Sequence, residues 1–313
     1  MKGIEIARAY YERFGRPMLE EDFPDLLPLV AAGLCGSGSE CFGFDDETSR
    51  DHDFEPGFCL FIPGEDVIDR KQAFRLERAY AALPREFEGL KRSLAAPVGG
   101  ARRGVIRTGD FFRDKTGSEN GEVTLEGWLS VPSSTLAEAV NGEIFYDGYG
   151  EVTRIRAELA RYPEDVMRKK LSGSLLVMAQ AGQYNYKRCL AHGEEGAAQL
   201  AAIEFSRAAM RAVFLLNGVY MPFYKWAFRA LRSLPELSIN AELIEYLITT
   251  DNGEATREEK GDVIESVASD VIDVLIDRGL TRATCGDLEK HAYSVNDGIA
   301  DPTLRNMSIF AGV

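Results

Sequence analysis

Apolar residues along this chain gather in short, strand-like runs through the first half and in long helical stripes through the second. Ile4, Ala7, Tyr11 and Phe14 recur at three- and four-residue steps, which predicts a helix at the start. After the proline-punctuated stretch FPDLLPL, the run VAAGLC (30–35) suits a buried strand leading into a glycine turn. GFCLFI (57–62) suits a second strand, closed by PGED. Residues 65–83 read as an amphipathic helix with Val67, Ala73, Phe74, Leu76 and Tyr80 near one side. GVIRTGDFF (104–112) and GEIFYD (142–147) are candidate strands, separated by the polar RDKTGSENGE and a piece around Trp128.

Near residue 155 the pattern turns wholly helical. YPEDVMRKKLSGSLLVMAQAGQYNYKRCL opens with Pro163 at a first helical position and Glu164 and Asp165 in the first turn, a helix-start signature. EEGAAQLAAIEFSRAAMRAVFLLNG and the proline-bounded PFYKWAFRALRSLP predict two more helices. Thr256 and Glu259 fit a capping box. The helix after them carries Val263, Ile264, Val267, Val271, Leu275 and Ile276 as one stripe, and Gly279 can end it. The expected fold class is therefore α+β: an N-terminal mixed sheet with flanking helices over 1–155, and a C-terminal all-helical domain over 156–313. No internal repeat or long low-complexity linker interrupts the chain.

Composition narrows this only a little. The 313 residues are 45% hydrophobic and 27% charged, enough for two folded domains. The longest apolar runs are too short to span a bilayer, and the N-terminal stretch lacks the basic-then-apolar order of a signal peptide. A cytoplasmic protein with no membrane partner is expected. The formal charge of −14 argues against nucleic acid as a partner and is compatible with cationic small molecules. Five cysteines with no C-x-x-C spacing suggest neither a disulfide framework nor a zinc site, and buried, reduced thiols are expected.

The candidate chemistry lies in residues 35–62, CGSGSECFGFDDETSRDHDFEPGFCLFI. GSGSEC offers G-x-G with Cys41 where a third glycine belongs, so a dinucleotide loop is not supported, and the chain contains no Gly-Lys dipeptide for a P-loop. One reading is a flexible turn followed by a solvated acidic loop. Another uses the spacing of Asp51 and Asp53. On an extended strand, residues two apart face the same way, so both carboxylates could share a hard divalent cation such as Mg²⁺. A glycine-rich turn ending a strand can present N–H groups and serine hydroxyls to phosphate oxygens. A cation between the two would reconcile the glycines with the acids.

Gly38-Ser39, the spacer 40–50 and Asp51-His52-Asp53 together resemble the motif of the polymerase-β-like nucleotidyltransferase superfamily. The longer string GSGSECFGFDDETSRDHDF, with YPEDVMRKKL, GQYNY, FLLNGVYMPFYKW and DPTLRNMSIF, is similar to one branch known only as a domain of unknown function (4037). The resemblance implies a nucleotidyltransferase-fold N-terminal domain. It also implies transfer of a nucleoside monophosphate from an NTP, with ATP the expected donor, to an acceptor hydroxyl. Asp51 and Asp53 would hold Mg²⁺ or Mn²⁺, and Gly36, Ser37, Gly38 and Ser39 would cradle the phosphates. Lys170 or Lys225 would reach the triphosphate.

The superfamily adds a third carboxylate from a neighbouring strand, and here the sequence departs from the pattern. Asp110, Glu143 and Asp147 lie in candidate strands, with Asp110 and Asp147 also readable as turn residues beside glycines. Glu55-Pro56-Gly57 interrupts the run after Asp53. Tyr184, Tyr186 and Trp226 could stack on a base, although aromatics at helical spacing are more often core. His52 should face away from its two Asp neighbours, and Asp45, Asp46 and Glu47 read as the solvated loop. The leading expectation is a small-molecule acceptor, in the style of antibiotic adenylyltransferases. A toxin-like enzyme acting on protein or RNA, and a nucleotide-binding or regulatory protein without catalysis, stand as alternatives.

Overall fold

A computed structural model describes residues 1–48, 55–92 and 103–313. The chain divides into two compact units, residues 1–124 with 131–160, and residues 125–130 with 161–313.

The first unit opens with α1 (Gly3–Tyr10), a π turn over Tyr11–Gly15 and α2 (Arg16–Asp22). Its inward face is Ile6, Ala7, Tyr10 and Tyr11, one step round the helix from part of the expected stripe. Strands β1 (Ala31–Leu34) and β2 (Cys59–Ile62) follow, and then α3 (Arg70–Ala82). Asp69 caps α3: its carboxylate accepts from Gln72 N (2.8 Å), and Gln72 accepts from Asp69 N (3.0 Å). Ala73, Leu76 and Tyr80 are the buried stripe of α3, and Phe74 is 57% exposed, which corrects its expected place on that side.

A short hairpin, β3 (Glu86–Phe87) and β4 (Leu90–Lys91), precedes β5 (Gly104–Arg107) and α4 (Thr108–Thr116). The single strand expected over 104–112 is thus a strand followed directly by a helix. Thr108, Phe112 and Thr116, four apart, form the buried stripe of α4, and Thr108 Oγ1 donates to Ile62 O (3.2 Å). Gly117, at φ 77°, ends it. The short α5 (Leu125–Ser130), which carries Trp128, belongs to the second unit. Helix α6 (Ser133–Val140), strand β6 (Glu143–Asp147) and α7 (Glu151–Glu158) complete the first.

The sheet order is β5-β2-β1-β6, with β1 antiparallel to both neighbours and β2 parallel to β5, so the sheet is mixed. Tyr10, Leu19, Val30, Phe58, Leu60, Ile62 and Leu76 form the core of this unit between the helices and the sheet.

The second unit is helical: α8 (Glu164–Met178), a π-helical stretch over Ala179–Tyr186, α9 (Lys187–Ala191), α10 (Glu195–Leu216), α11 (Tyr224–Leu231), α12 (Asn240–Thr249), α13 (Arg257–Asp277), α14 (Leu288–Asp297) and α15 (Pro302–Asn306). Pro163 sits at the cap of α8, one residue before its expected position. Leu171, Leu175, Phe205, Val213, Ile264, Val267 and Val271 centre its core. The Thr256–Glu259 capping box does not form. Thr256 has helical dihedrals, so its hydroxyl turns back to Asp251 Oδ1 (2.9 Å), and Glu259 instead accepts from Tyr246 (2.6 Å). Gly279, at φ 63°, does end α13: its N–H donates to Ile276 O (2.9 Å) and that of Leu280 to Leu275 O (2.9 Å), a Schellman motif. No helix among the described residues is long and apolar enough to cross a membrane.

Candidate functional site

The loop after β1 is shaped by two glycines in conformations that other residues avoid, Gly36 at φ 104° and Gly38 at φ 138°. Asn141 grips the first of them with both ends of its amide. Its Oδ1 accepts from Gly36 N (2.8 Å), and its Nδ2 donates to Gly36 O (2.8 Å). Asn141 is itself placed by Gly142, at φ 64°, where a Cβ would lie 2.0 Å from Leu34 O. Gly142 N also donates to Cys41 O (2.8 Å), so the turn into β6 holds both ends of the loop. Sequence reading passed over Asn141, although the Asn-Gly pair before an apolar run was a turn signal.

The backbone N–H groups of Ser37, Gly38 and Ser39, and the hydroxyls of Ser37 and Ser39, have no hydrogen-bond partner among the described residues. Ser37 and Ser39 are half-buried, whereas Gly38 between them is buried. An unpaired set of N–H groups at a glycine turn is a phosphate-binding arrangement.

Two carboxylates and one guanidinium lie beside the loop. Glu40, in the single turn that follows, packs its carboxylate against Gly38, where a Cβ would come within 2.8 Å. It pairs with Arg103 (3.0 Å), both side chains being less than 10% exposed, and Glu55 lies 3.8 Å from the same guanidinium. Neither Glu40 nor Arg103 stood out in the sequence, because nothing local marks a pair 63 positions apart.

Asp51 and Asp53, with Arg50 and His52, lie outside the described residues. The chain that carries them leads into β2, whose first residue Cys59 pairs with Gly33 at the loop end of the sheet.

Two of the three candidate third carboxylates, Asp110 and Asp147, are not brought to that end. Asp147 pairs with Ala31 at the far end of β1, about 10 Å of strand away. Its two oxygens accept from Gly150 N and Thr153 N (2.8 Å each) at the start of α7. Asp110 is not in a strand: it lies in the first turn of α4, beyond the same far end, where it pairs with Arg113 (2.8 Å). β5 itself contains no carboxylate. Glu143 does lie at the loop end, opposite Leu34, and is paired with Arg8. Asp45, expected in a solvated loop, is buried: its carboxylate accepts from Gly3 N (2.9 Å) and pins the start of α1. Asp46 and Glu47 are exposed.

On the helical unit, Lys170 is almost fully buried. Its Nζ donates to Leu129 O (2.9 Å) and Gly312 O (3.0 Å) and lies 5.4 Å from the Tyr162 ring. Burial, and then the charge of Arg211, lower its pKa to about 8. Lys225 is exposed on the first turn of α11, with Nζ 4.3 Å above the Trp226 ring. Tyr186 is a core residue whose hydroxyl donates to Asn252 (3.0 Å), whereas Tyr184 is 59% exposed.

A model of the family described as Domain of unknown function (DUF4037) matches residues 128–227. This matches the branch that the motifs resembled. The matched segment carries Lys170, the π-helical GQYNY and Lys225, and it does not include the Gly-Ser loop. The crystal structure of a nucleotidyltransferase-like protein from Exiguobacterium sibiricum 255-15 is similar over 93% of this chain and 81% of that one, at 13% identity and a TM-score of 0.39. A likeness that shallow carries no residue-level correspondence. No curated protein matches the chain.

Proposed function

We propose that this chain is a nucleotidyltransferase of the polymerase-β-like superfamily. It would move a nucleoside monophosphate from an NTP, with ATP the expected donor, to a hydroxyl of a small-molecule acceptor. One observation carries the reading: the Gly36–Ser39 loop, held by Asn141, offers unpaired N–H and hydroxyl donors at the end of the sheet where β2 begins. Those donors would take the phosphate oxygens and align the nucleotide. Lys170, buried and bonded to two carbonyls, and the exposed Lys225 belong to the second unit, so the reading does not rest on them.

No group of three His, Cys, Asp or Glu side chains among the described residues could hold a metal ion. Glu40 and Glu55 are committed to Arg103. A metal would therefore depend on Asp51 and Asp53, whose hard carboxylate oxygens suit Mg²⁺ or Mn²⁺. Bound there, such an ion would neutralise charge on the phosphates during transfer. The acceptor hydroxyl would attack the α-phosphorus, and pyrophosphate would leave.

A second reading, nucleotide binding without transfer, is favoured by one specific observation: Asp110 and Asp147 lie at the far end of the sheet, and β5 brings no acid to the loop. Two measurements separate the readings. A thermal shift with an NTP and Mg²⁺ at about 100 times Kd should stabilise by roughly 2.7 kcal/mol. Pyrophosphate release across a panel of hydroxyl acceptors should then appear and be lost in Asp53→Asn. Stabilisation without turnover on any acceptor supports the second reading, and no stabilisation by any NTP removes both.

A further inference from the structure

Arg156 is a cation with no carboxylate partner among the described residues. It lies in the last turn of α7, in the same unit as the Gly-Ser loop, and is part-buried. One terminal nitrogen, Nη2, donates to Val140 O (2.8 Å) and lies 3.5 Å from Gly142 O. The other, Nη1, is buried and has no hydrogen-bond partner. The two carbonyls and the negative end of the α7 dipole offset part of the guanidinium charge. Neutral acceptors do not cancel a full positive charge, and a buried N–H left unpaired is costly.

The position of Arg156 ties it to the loop. Val140 and Gly142 flank Asn141, whose amide holds both Gly36 N and Gly36 O. Gly142 packs directly on the residues before Gly36: a Cβ there would lie 2.0 Å from Leu34 O and 2.9 Å from Cys35 Cα. Arg156 thus grips the turn that grips the loop. The described charges nearest the loop are otherwise shared among themselves. Glu40 and Glu55 share Arg103, and Glu143 pairs with Arg8. Without Arg156 these groups carry one negative charge in excess, which would oppose an anion at the unpaired N–H groups of the loop.

We propose that Arg156 is a positioning residue for a phosphate-bearing ligand of the Gly-Ser loop. Its guanidinium supplies the counter-charge from behind the loop, and its hold on Val140 and Gly142 keeps the Asn141 clasp in register. The loop N–H groups and serine hydroxyls make the contacts to phosphate oxygens. The buried charge acts on them through a medium of low dielectric, where salt screens it weakly. The bound anion in turn offsets the unpaired charge of Arg156. The inference rests on the role that the nucleotidyltransferase reading gives this loop. It does not depend on which phosphate compound sits there, because a nucleotide and an inorganic polyphosphate present the same oxygens.

The test is calorimetric titration of the full chain with inorganic tripolyphosphate, without added metal, and then displacement by ATP. Arg156→Gln keeps an amide donor and loses the charge; it should weaken tripolyphosphate binding at least ten-fold. Hydrogen exchange at Gly36 N reads the clasp separately. Arg156→Lys keeps the charge and loses the fork; it should bind within three-fold of wild type at pH 7.5. A lysine can lose its proton and an arginine cannot, so binding by Arg156→Lys should fall at least ten-fold more than that of wild type between pH 8 and 10.5. That pH profile decides alone if Arg156→Gln does not fold. The proposal is overturned if Arg156→Gln binds within two-fold of wild type, if Arg156→Lys is as weak as Arg156→Gln at pH 7.5, or if its pH profile follows that of wild type. It is also overturned if wild type binds neither tripolyphosphate nor ATP. Arg156-dependent tripolyphosphate binding that ATP does not displace would sink the nucleotide reading and leave Arg156 in place. Equal ATP binding by wild type and Arg156→Gln would do the reverse.

Discussion

Asn141→Ala is the sharpest test of how the candidate loop is held. The change removes two hydrogen bonds of 2.8 Å, one to Gly36 N and one to Gly36 O, in a part-buried setting. A typical bond contributes about 1 kcal/mol net, and a buried group left without a partner costs about 1–3 kcal/mol. Partial access to water offsets some of that penalty, so a loss of about 2–3 kcal/mol is expected for the first unit. With a urea slope of about 2 kcal/mol/M, the unfolding midpoint of that unit should fall by about 1–1.5 M at unchanged slope. Asn141→Asp is the informative companion: it keeps an acceptor for Gly36 N, loses the donor to Gly36 O, and should fall between wild type and alanine. Urea titration followed by hydrogen exchange at Gly36 and its neighbours reads both effects. A midpoint shift under about 0.2 M for Asn141→Ala would show that the loop holds its shape without the amide, and the reasoning would fail.

Further expectations concern other parts of the chain. Asp147→Ala should cost about 1 kcal/mol through the lost cap of α7 and leave any nucleotide-induced thermal shift intact; a lost nucleotide shift would return Asp147 to the site. Gly182→Ala should destabilise the helical unit by about 1–3 kcal/mol, because its Cβ would lie 2.3 Å from Phe205 and 2.8 Å from Ile264. Tyr184→Ala, two residues on and 59% exposed, should stay within about 0.5 kcal/mol, and equal effects at the two sites would contradict the packing described. Burial holds the folded pKa of Lys170 at about 8, below the 10.5 usual for lysine, so the unfolded chain binds its proton more tightly. Its destabilising effect is fully present below pH 8 and relaxes as pH rises toward 10.5, so stability of the helical unit should climb over that window by at most about 3 kcal/mol. Lys170→Met should flatten that climb in thermal scans at stepped pH, and an unchanged slope would contradict the assignment.

Much of the fold was legible because each element buries one face. VAAGLC, GFCLFI and GEIFYD became strands, and the long stripes of the second half became helices. What failed did so where two signals overlapped or where partners are far apart in sequence. GVIRTGDFF carries a strand run and then a four-residue repeat, and a reading at one period merged them. Phe74 is apolar but sits a step away from the Ala73, Leu76 and Tyr80 stripe. Asp45 read as one more solvated acid because its partner, Gly3 N, is 42 positions away. The Gly-Ser loop was visible as composition, whereas its support by Asn141 and its buried neighbour Arg103 came only with tertiary structure. The third-carboxylate candidates were strand-like in sequence, but which end of the sheet each one reaches depends on strand direction and order, which local pattern does not encode.

The central place of β1 bears on the order in which the molecule assembles. Its partner β2 follows soon after it along the chain, but β6, with the Asn141 grip, arrives 105 positions after Gly36. Closing so long a loop is slow compared with forming neighbouring contacts. A nascent chain that has passed β2 but not residue 147 would contain every residue of the Gly-Ser turn without the clasp that shapes it. Ligand competence would then be among the last properties the first unit acquires during synthesis. Substitutions that delay the docking of β6 would look like binding defects in newly made protein, and those defects would fade as the chains mature.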